Sequence, residues 1–123
     1  MKQRESALRT KRFGAAEKAR KVALLESMIR DFEGMVTELS RQIAAEEERT
    51  GVRDPVHFAY STFAKAAAQR RSNLQTSVAD LREKLEAARR EHEEVISDLN
   101  KLEPASDDRD RLMRKSDPRA MAG

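Results

Sequence analysis

Residues 22–43 read VALLESMIRDFEGMVTELSRQI, and this stretch decides the fold. Its large apolar residues recur at alternating steps of three and four, a spacing that places them in one narrow seam along a helix. Charged or small residues occupy most of the remaining helix surface, so a single partner helix can cover the seam. The stretch therefore predicts one half of a coiled coil. Its core positions are Val22, Leu25, Ile29, Phe32, Val36, Leu39 and Ile43.

The composition of the whole chain favours the same architecture. Of its 123 residues, 38% are charged and only 4% are aromatic, and there is no tryptophan. Such a chain has too little bulky apolar material for a compact core. No window alternates apolar and polar residues in the manner of a strand. We therefore expect an all-α fold.

A second seam with the same spacing follows after a turn. Helix 1 is expected over about residues 2–49, the turn over about 50–60 and helix 2 over about 61–103. A short connection makes two long helices antiparallel neighbours, so residues 1–103 are predicted to form an antiparallel coiled-coil hairpin. The core positions of helix 2 include Leu74, Val78, Leu81, Leu85 and Leu99.

The segment between the helices carries several helix boundary signals. Thr50-Gly51 supplies a left-handed exit from helix 1. Asp54-Pro55 has the form of an N-cap followed by proline at the first helical position, and Ser61 can act as a second N-cap. Two registers keep core opposite core: facing residue numbers add up to 103 if helix 2 begins at Pro55, or to 110 if it begins at Ser61. We favour 110, because the aromatic segment then becomes the loop.

Pro104 is expected to end or kink helix 2, because proline lacks the backbone N–H that the helix requires. Ser106 can then cap a further short segment. Residues 104–123 are accordingly predicted to be a short helix or a disordered tail, with disorder from Pro118 onward.

Positive charge is concentrated in one segment. The net charge of the chain is only +3, but residues 1–21 hold eight basic and two acidic side chains, a difference of +6. Lys11 and Lys18 occupy core positions there, where leucine would be expected. Two interpretations follow: a weak coiled-coil end whose lysine heads reach solvent, or a basic end that another protein receives. A third, a basic amphipathic membrane helix, is disfavoured because Leu8 and Phe13 alone make a poor apolar face.

Three of the five aromatic residues lie together at the turn. They are Phe58, Tyr60 and Phe63. Their rings can close the turn, or one or two of them can face solvent as anchors for a partner, since aromatic residues dominate interface hot spots.

The sequence offers no group for catalysis or for a cofactor. It has no cysteine and no glycine-rich phosphate-binding loop. Its carboxylates lie beside Arg and Lys at helical spacing, as Glu86 does with Arg89 and Arg90, which is typical of surface pairing. His92 occupies a core position and is interpreted as a partly exposed filler. We expect no enzymatic activity, cofactor or metal.

The charge balance and hydropathy also limit the partners. A chain with 25 basic and 22 acidic residues is not typical of nucleic-acid binders. No apolar run approaches the roughly 18 residues that span a bilayer, and no secretory signal is present. We expect a cytoplasmic protein without direct membrane insertion.

The order of these segments resembles a known family. The basic segment MKQRESALRTKRF, the helix KARKVALLESMIRDFEGMVTELSRQIAAEEER and the turn TGVRDPVHFAYSTFAKAAAQRRSNL are similar to the flagellar export protein FliJ family, in its short alphaproteobacterial form. The resemblance covers about residues 1–103. Its most specific part is the run from Ala44 to Asn73, because heptads alone match any coiled coil.

The resemblance implies a non-enzymatic component of the flagellar type III export apparatus, peripheral to the cytoplasmic side of the inner membrane. Members of the family are antiparallel coiled coils that act as a stalk in the hexameric export ATPase, link it to the membrane export gate and serve export chaperones. On this basis Phe58, Tyr60 and Phe63 are candidates for gate contact. Candidates for ATPase contact are Arg4, Arg9, Lys11, Arg12 and Lys18. The alternative is a stand-alone coiled-coil chaperone or adaptor.

Overall fold

The structure, a computed structural model, describes residues 2–115, with side chains as far as Leu102. It contains two α-helices that pack against each other, α1 (Lys2–Thr50) and α2 (Thr62–Lys115). The described residues include no strand. The predicted all-α hairpin is therefore confirmed.

The first helix ends at a left-handed glycine. Gly51 has φ = 72°, a conformation that glycine adopts without the strain other residues incur. Its N–H donates to the carbonyl oxygen of Glu47 at 2.9 Å, which is the bond of a left-handed helix cap. The predicted exit at Thr50-Gly51 is confirmed, and α1 ends one residue later than expected.

The chain does not re-enter a helix at Pro55, so that interpretation of Asp54-Pro55 was wrong. The side-chain Oδ1 of Asp54 accepts a hydrogen bond from the N–H of Val56 at 3.0 Å. The backbone carbonyl oxygen of Asp54 accepts one from the N–H of His57 at 3.0 Å. A second turn follows, in which Tyr60 N–H donates to the His57 carbonyl oxygen at 3.0 Å. The Asp54 side chain thus closes a turn instead of capping a helix, an alternative open to every aspartate.

Ser61 is the N-cap of α2. Its Oγ accepts the N–H of Ala64 at 3.2 Å, the third residue of the helix, which is the N–H that an N-cap side chain satisfies. Its carbonyl oxygen accepts the N–H of Lys65 at 3.0 Å. The predicted second cap is confirmed.

The other end of α2 lies beyond the predicted boundary. The helix continues past Pro104 as far as Lys115, so the expectation that it ends near residue 103 was wrong. A helix can accommodate a proline at the loss of one backbone hydrogen bond. Charged residues such as Arg109 and Arg111 that follow are adequate helix formers. The predicted disorder from Pro118 onward lies outside the described residues.

The chain divides into two compact units, which we name the turn unit (Val22–Ala87) and the terminal unit (residues 1–21 with 88–123). In the turn unit, Leu39, Ile43, Ala64 and Ala67 form a buried cluster against which Tyr60, Ala68 and Leu74 pack. In the terminal unit, Leu8, Ala15 and Leu99 form a buried cluster together with Val95 and Leu102. Every predicted core residue is buried or half-buried, with Val22, Phe32, Val36 and Leu74 in the half-buried class.

Side-chain pairs between the helices identify the register. In the turn unit Arg71 Nη1 donates to Ser40 Oγ at 3.1 Å, and the two residue numbers add up to 111. In the terminal unit Lys18 contacts Glu91, and these numbers add up to 109. Both lie next to 110, whereas the register of 103 would separate each pair by about 9 Å or more along the helix axis. Each unit therefore has the register in which Ser61, not Pro55, precedes α2.

Candidate interaction sites

The seam of the terminal unit contains a group of ion pairs. Lys18 Nζ lies 2.8 Å from Glu91 Oε2, and Lys21 Nζ lies 3.9 Å from the same oxygen. Lys11 Nζ lies 3.7 Å from Asp98 Oδ2. The hydrogen bond from Lys18, together with the charges of Lys18 and Lys21, holds the pKa of the Glu91 carboxyl below its usual value. Each core-position lysine is therefore directed at an acid on α2, which explains why lysine is tolerated in the seam.

The five predicted ATPase-contact residues thus fall into two groups. Lys11 and Lys18 are half-buried and engaged with α2. Arg9 is exposed and Arg4 is half-buried. Arg12 is exposed and takes part in an interaction of its own. The structure places all five in the terminal unit. Arg4 shares the heptad position of Lys11 and Lys18, so only Arg9 and Arg12 lie off the seam.

A face of α1 opposite this seam was not identified from the sequence. Phe13 is 66% exposed and shares this face with exposed residues three, four, seven and eleven positions away. We name Phe13 and these residues the outer face. The sequence signal that could have identified it is a second set of residues spaced by three and four, on the side of the helix away from the seam. It consists of Lys2, Ser6, Arg9, Phe13, Ala16, Glu17 and Arg20.

The turn is fastened to α1 by carboxylates. Tyr60 Oη donates to Glu47 Oε2 at 2.9 Å, and Ser61 Oγ donates to Glu46 Oε1 at 3.0 Å. Arg49 also donates to Glu46, through Nε at 3.1 Å and through Nη2. Hydrogen bonds from Arg49 and Ser61 lower the pKa of Glu46. Partial burial and the bond to Glu47 raise the pKa of Tyr60.

The aromatic residues of the turn separate into the two predicted roles. Tyr60 is half-buried and packs on the cluster of the turn unit, so it closes the turn. Phe58 is 96% exposed and Phe63 is 56% exposed, and Val56 beside them is 90% exposed. Phe58 stacks on His57, with ring centroids 4.6 Å apart. Tyr60 is therefore not positioned as an anchor, whereas Phe58 and Phe63 are.

The exposed loop residues are held in a defined conformation. Besides the two backbone turns, His57 Nδ1 accepts the N–H of Ala59 at 3.0 Å. The loop thus presents Val56 and Phe58 from a backbone whose hydrogen bonds are internal. A rigid loop of this kind loses little conformational entropy on binding.

Two classes of site are absent from the part of the chain that the structure describes. No group of three or more His, Cys, Asp or Glu side chains could hold a metal ion among these residues. None of the described helices combines the length and the hydropathy that crossing a membrane would demand.

Comparisons of the chain with protein-family models, with curated proteins and with solved structures found no match.

Proposed function

We propose that this chain is a non-enzymatic coiled-coil component of the bacterial flagellar type III export apparatus. It acts as a stalk-like partner of the hexameric export ATPase, and it connects this ATPase to the membrane export gate and to export chaperones. It is cytoplasmic and reaches the inner membrane only through these partners. The observation that carries the proposal is the antiparallel helical hairpin, the architecture expected from the resemblance of residues 1–103 to the FliJ family.

The terminal unit is the proposed site for the ATPase. Its basic segment supplies charge that attracts an acidic surface. Arg9 and Arg12 are exposed off the seam there, and Arg4 is half-buried at the heptad position of Lys11 and Lys18. Lys11 and Lys18 contribute by fastening α1 to α2. The proposed binding surface thus includes the exposed Arg9 and Arg12, and the seam lysines keep it folded.

The turn is the proposed site for the export gate. Phe58 and Phe63 are exposed aromatic residues on and beside a hydrogen-bonded loop, and such residues are typical anchors of protein interfaces. Tyr60 supports this site by packing beneath the loop and by bonding Glu47.

Binding to a purified export ATPase tests the first site. The triple variant R4E/R9E/R12E is expected to lose binding while the helical circular dichroism signal is retained. A matched control reverses three exposed arginines of the turn unit, Arg30, Arg41 and Arg70, and is expected to bind. If both triple variants bind as the unaltered chain does, the terminal unit is not the ATPase site.

Capture of the export-gate protein tests the second site. F58A/F63A is expected to weaken the gate complex and to leave ATPase binding unchanged. The control L24A removes a similarly exposed side chain, 62% exposed, from α1 of the turn unit. Equal gate binding by the double variant and the control would exclude the loop as the gate contact.

One observation favours the alternative, a stand-alone coiled-coil chaperone or adaptor. Leu24 and Met35 are 62% and 45% exposed on α1 of the turn unit, and a client could contact such side chains. A chaperone of this kind binds a hydrophobic dye in its native state and needs no ATPase. Strong dye binding together with no ATPase binding would replace the proposed function by this one.

A further inference from the structure

The basic residues of the terminal unit are divided by the direction in which α1 presents them. Lys11, Lys18 and Lys21 approach acids of α2, so their charges are largely satisfied within the hairpin. Lys2 and Arg9 belong to the outer face and are exposed. The outer face therefore carries positive charge that is directed away from α2.

The outer face is a continuous strip along the helix. Its positions 2, 6, 9, 13, 16 and 20 follow steps of three and four, which keeps them on one side of an α-helix. Phe13 lies about 170° around the helix axis from the middle of the seam that contains Leu8 and Ala15. Packing against α2 thus cannot bury the Phe13 ring.

Phe13 is the single large apolar side chain on this strip. Three basic residues, Lys2, Arg9 and Arg20, share the strip with one acid, Glu17, which pairs with Arg20. A Cβ added at the neighbouring Gly14 would meet no atom of α2 within 4 Å. The strip consists of an aromatic anchor with a net positive surround.

This chemistry fits a protein surface better than a lipid surface. An interfacial membrane helix needs a broad apolar face that enters the acyl region, and one phenyl ring with Glu17 four residues away does not provide it. A protein interface, in contrast, commonly consists of an aromatic anchor in a pocket surrounded by polar contacts. Charge complementarity requires that the surround of this pocket be acidic.

We propose that the outer face docks on an acidic protein surface and that an apolar pocket in this surface receives the phenyl ring of Phe13. This inference rests on the proposed function, since the partner is the export ATPase. It adds that the contact has an apolar centre at Phe13, and that the basic residues of the outer face, Lys2, Arg9 and Arg20, form its charged surround.

Paired substitutions test the inference with the full chain and the purified ATPase. F13A is expected to weaken binding by about 10-fold to 100-fold, as removal of an interface anchor does, and to leave the dependence of affinity on salt unchanged. R9E is expected to weaken binding and to reduce the salt dependence, because it removes an attractive charge. The matched controls L24A and R30E alter exposed residues of α1 in the turn unit and are expected to bind normally.

A charge exchange separates docking from folding. K11E/D98K preserves an ion pair between α1 and α2 with reversed polarity and is expected to bind the ATPase as the unaltered chain does. Binding by F13A equal to that of L24A overturns the inference and leaves the proposed function standing. Failure of the unaltered chain to bind the ATPase overturns both. Retention of the unaltered chain, but not of F13A, on phosphatidylglycerol vesicles would also overturn the inference, because the outer face would then recognise lipid.

Discussion

Replacing glycine with alanine should stabilise the fold at Gly14 and Gly34, within α1, and destabilise it at Gly51, directly after α1. At Gly51 the backbone has φ = 72°, and at Gly14 and Gly34 it is helical. Apart from its chain neighbours and the nearby backbone of its own helix, an added Cβ meets no atom within 4 Å at any of the three. The substitution is therefore sterically free in each case, and only backbone conformation distinguishes the positions.

The magnitudes follow from this difference. Holding an alanine in the left-handed region costs about 1–2 kcal/mol, and the smaller entropy of the unfolded chain returns about 0.4–1 kcal/mol. We expect G51A to lower the free energy of unfolding by about 1 kcal/mol. G34A, at an exposed helical position, is expected to raise it by about 0.5–1 kcal/mol, and G14A likewise.

Urea denaturation followed by far-ultraviolet circular dichroism measures all three variants against the unaltered chain. The slope of the transition should be unchanged, so that the midpoint reports stability. Stabilisation by G51A would refute the assignment of a left-handed cap at the end of α1. Destabilisation by G34A would show that this position is not open helix surface.

Three further predictions concern the seam, the ion pairs and the cap. Leu81 is 8% exposed, so L81A should cost about 2–5 kcal/mol of unfolding free energy, while the exposed neighbour K84A should cost almost nothing; similar values in urea denaturation would contradict the predicted seam. The folded-state pKa of Glu91 is lowered from its ordinary value of 4.5, so the ion pair with Lys18 stabilises the folded state at pH values above 4.5. This stabilisation is lost as the pH falls through the folded-state pKa. The stability difference between E91Q and the unaltered chain should accordingly shrink from pH 7 to pH 3, and a constant difference would show that the pair is not involved. S61A should cost about 1 kcal/mol and S61T less, because threonine keeps a hydroxyl that can cap α2 and donate to Glu46; equal losses in thermal unfolding would argue against an N-cap role.

The parts of the fold that the sequence predicts are those determined by local or periodic signals. Leu25 and Ile29 are buried because residues spaced by three and four lie on one side of a helix, and that side packs against the partner helix. Gly51 and Ser61 were assigned correctly because each boundary depends on one residue and its immediate neighbours. Such features need no knowledge of the partner helix.

The parts that the sequence did not predict depend on competing local outcomes or on distant partners. Asp54 can cap a helix or close a turn, and the hydrogen bond to Val56 selects the turn. Glu46 and Glu47 were interpreted as a solvated run, but they accept bonds from residues 15 and 13 positions away. Those partners become neighbours only when the chain has folded back. The acids that pair with Lys11 and Lys18 likewise depend on the register.

The exposed candidates show the same limit. The cluster of aromatic residues indicated a site at the turn, but spacing alone did not tell that Tyr60 packs inward while Phe58 faces solvent. Phe13 entered the sequence analysis only as part of an apolar face too poor for a membrane helix. Its position becomes informative only once the seam lysines are assigned to α2.

The hydrogen bonds between the turn and α1 also affect domain swapping, the exchange of a helix between two copies of the chain. Two copies of a helical hairpin can swap arms when the connecting loop straightens into one uninterrupted helix. Here straightening would bring Gly51 into helical geometry, give up the capping bond of Ser61 and free Glu46 and Glu47 from their hydrogen bonds across the turn. These losses fall only on the swapped form, so the connection that closes each hairpin also favours the monomer over the domain-swapped dimer.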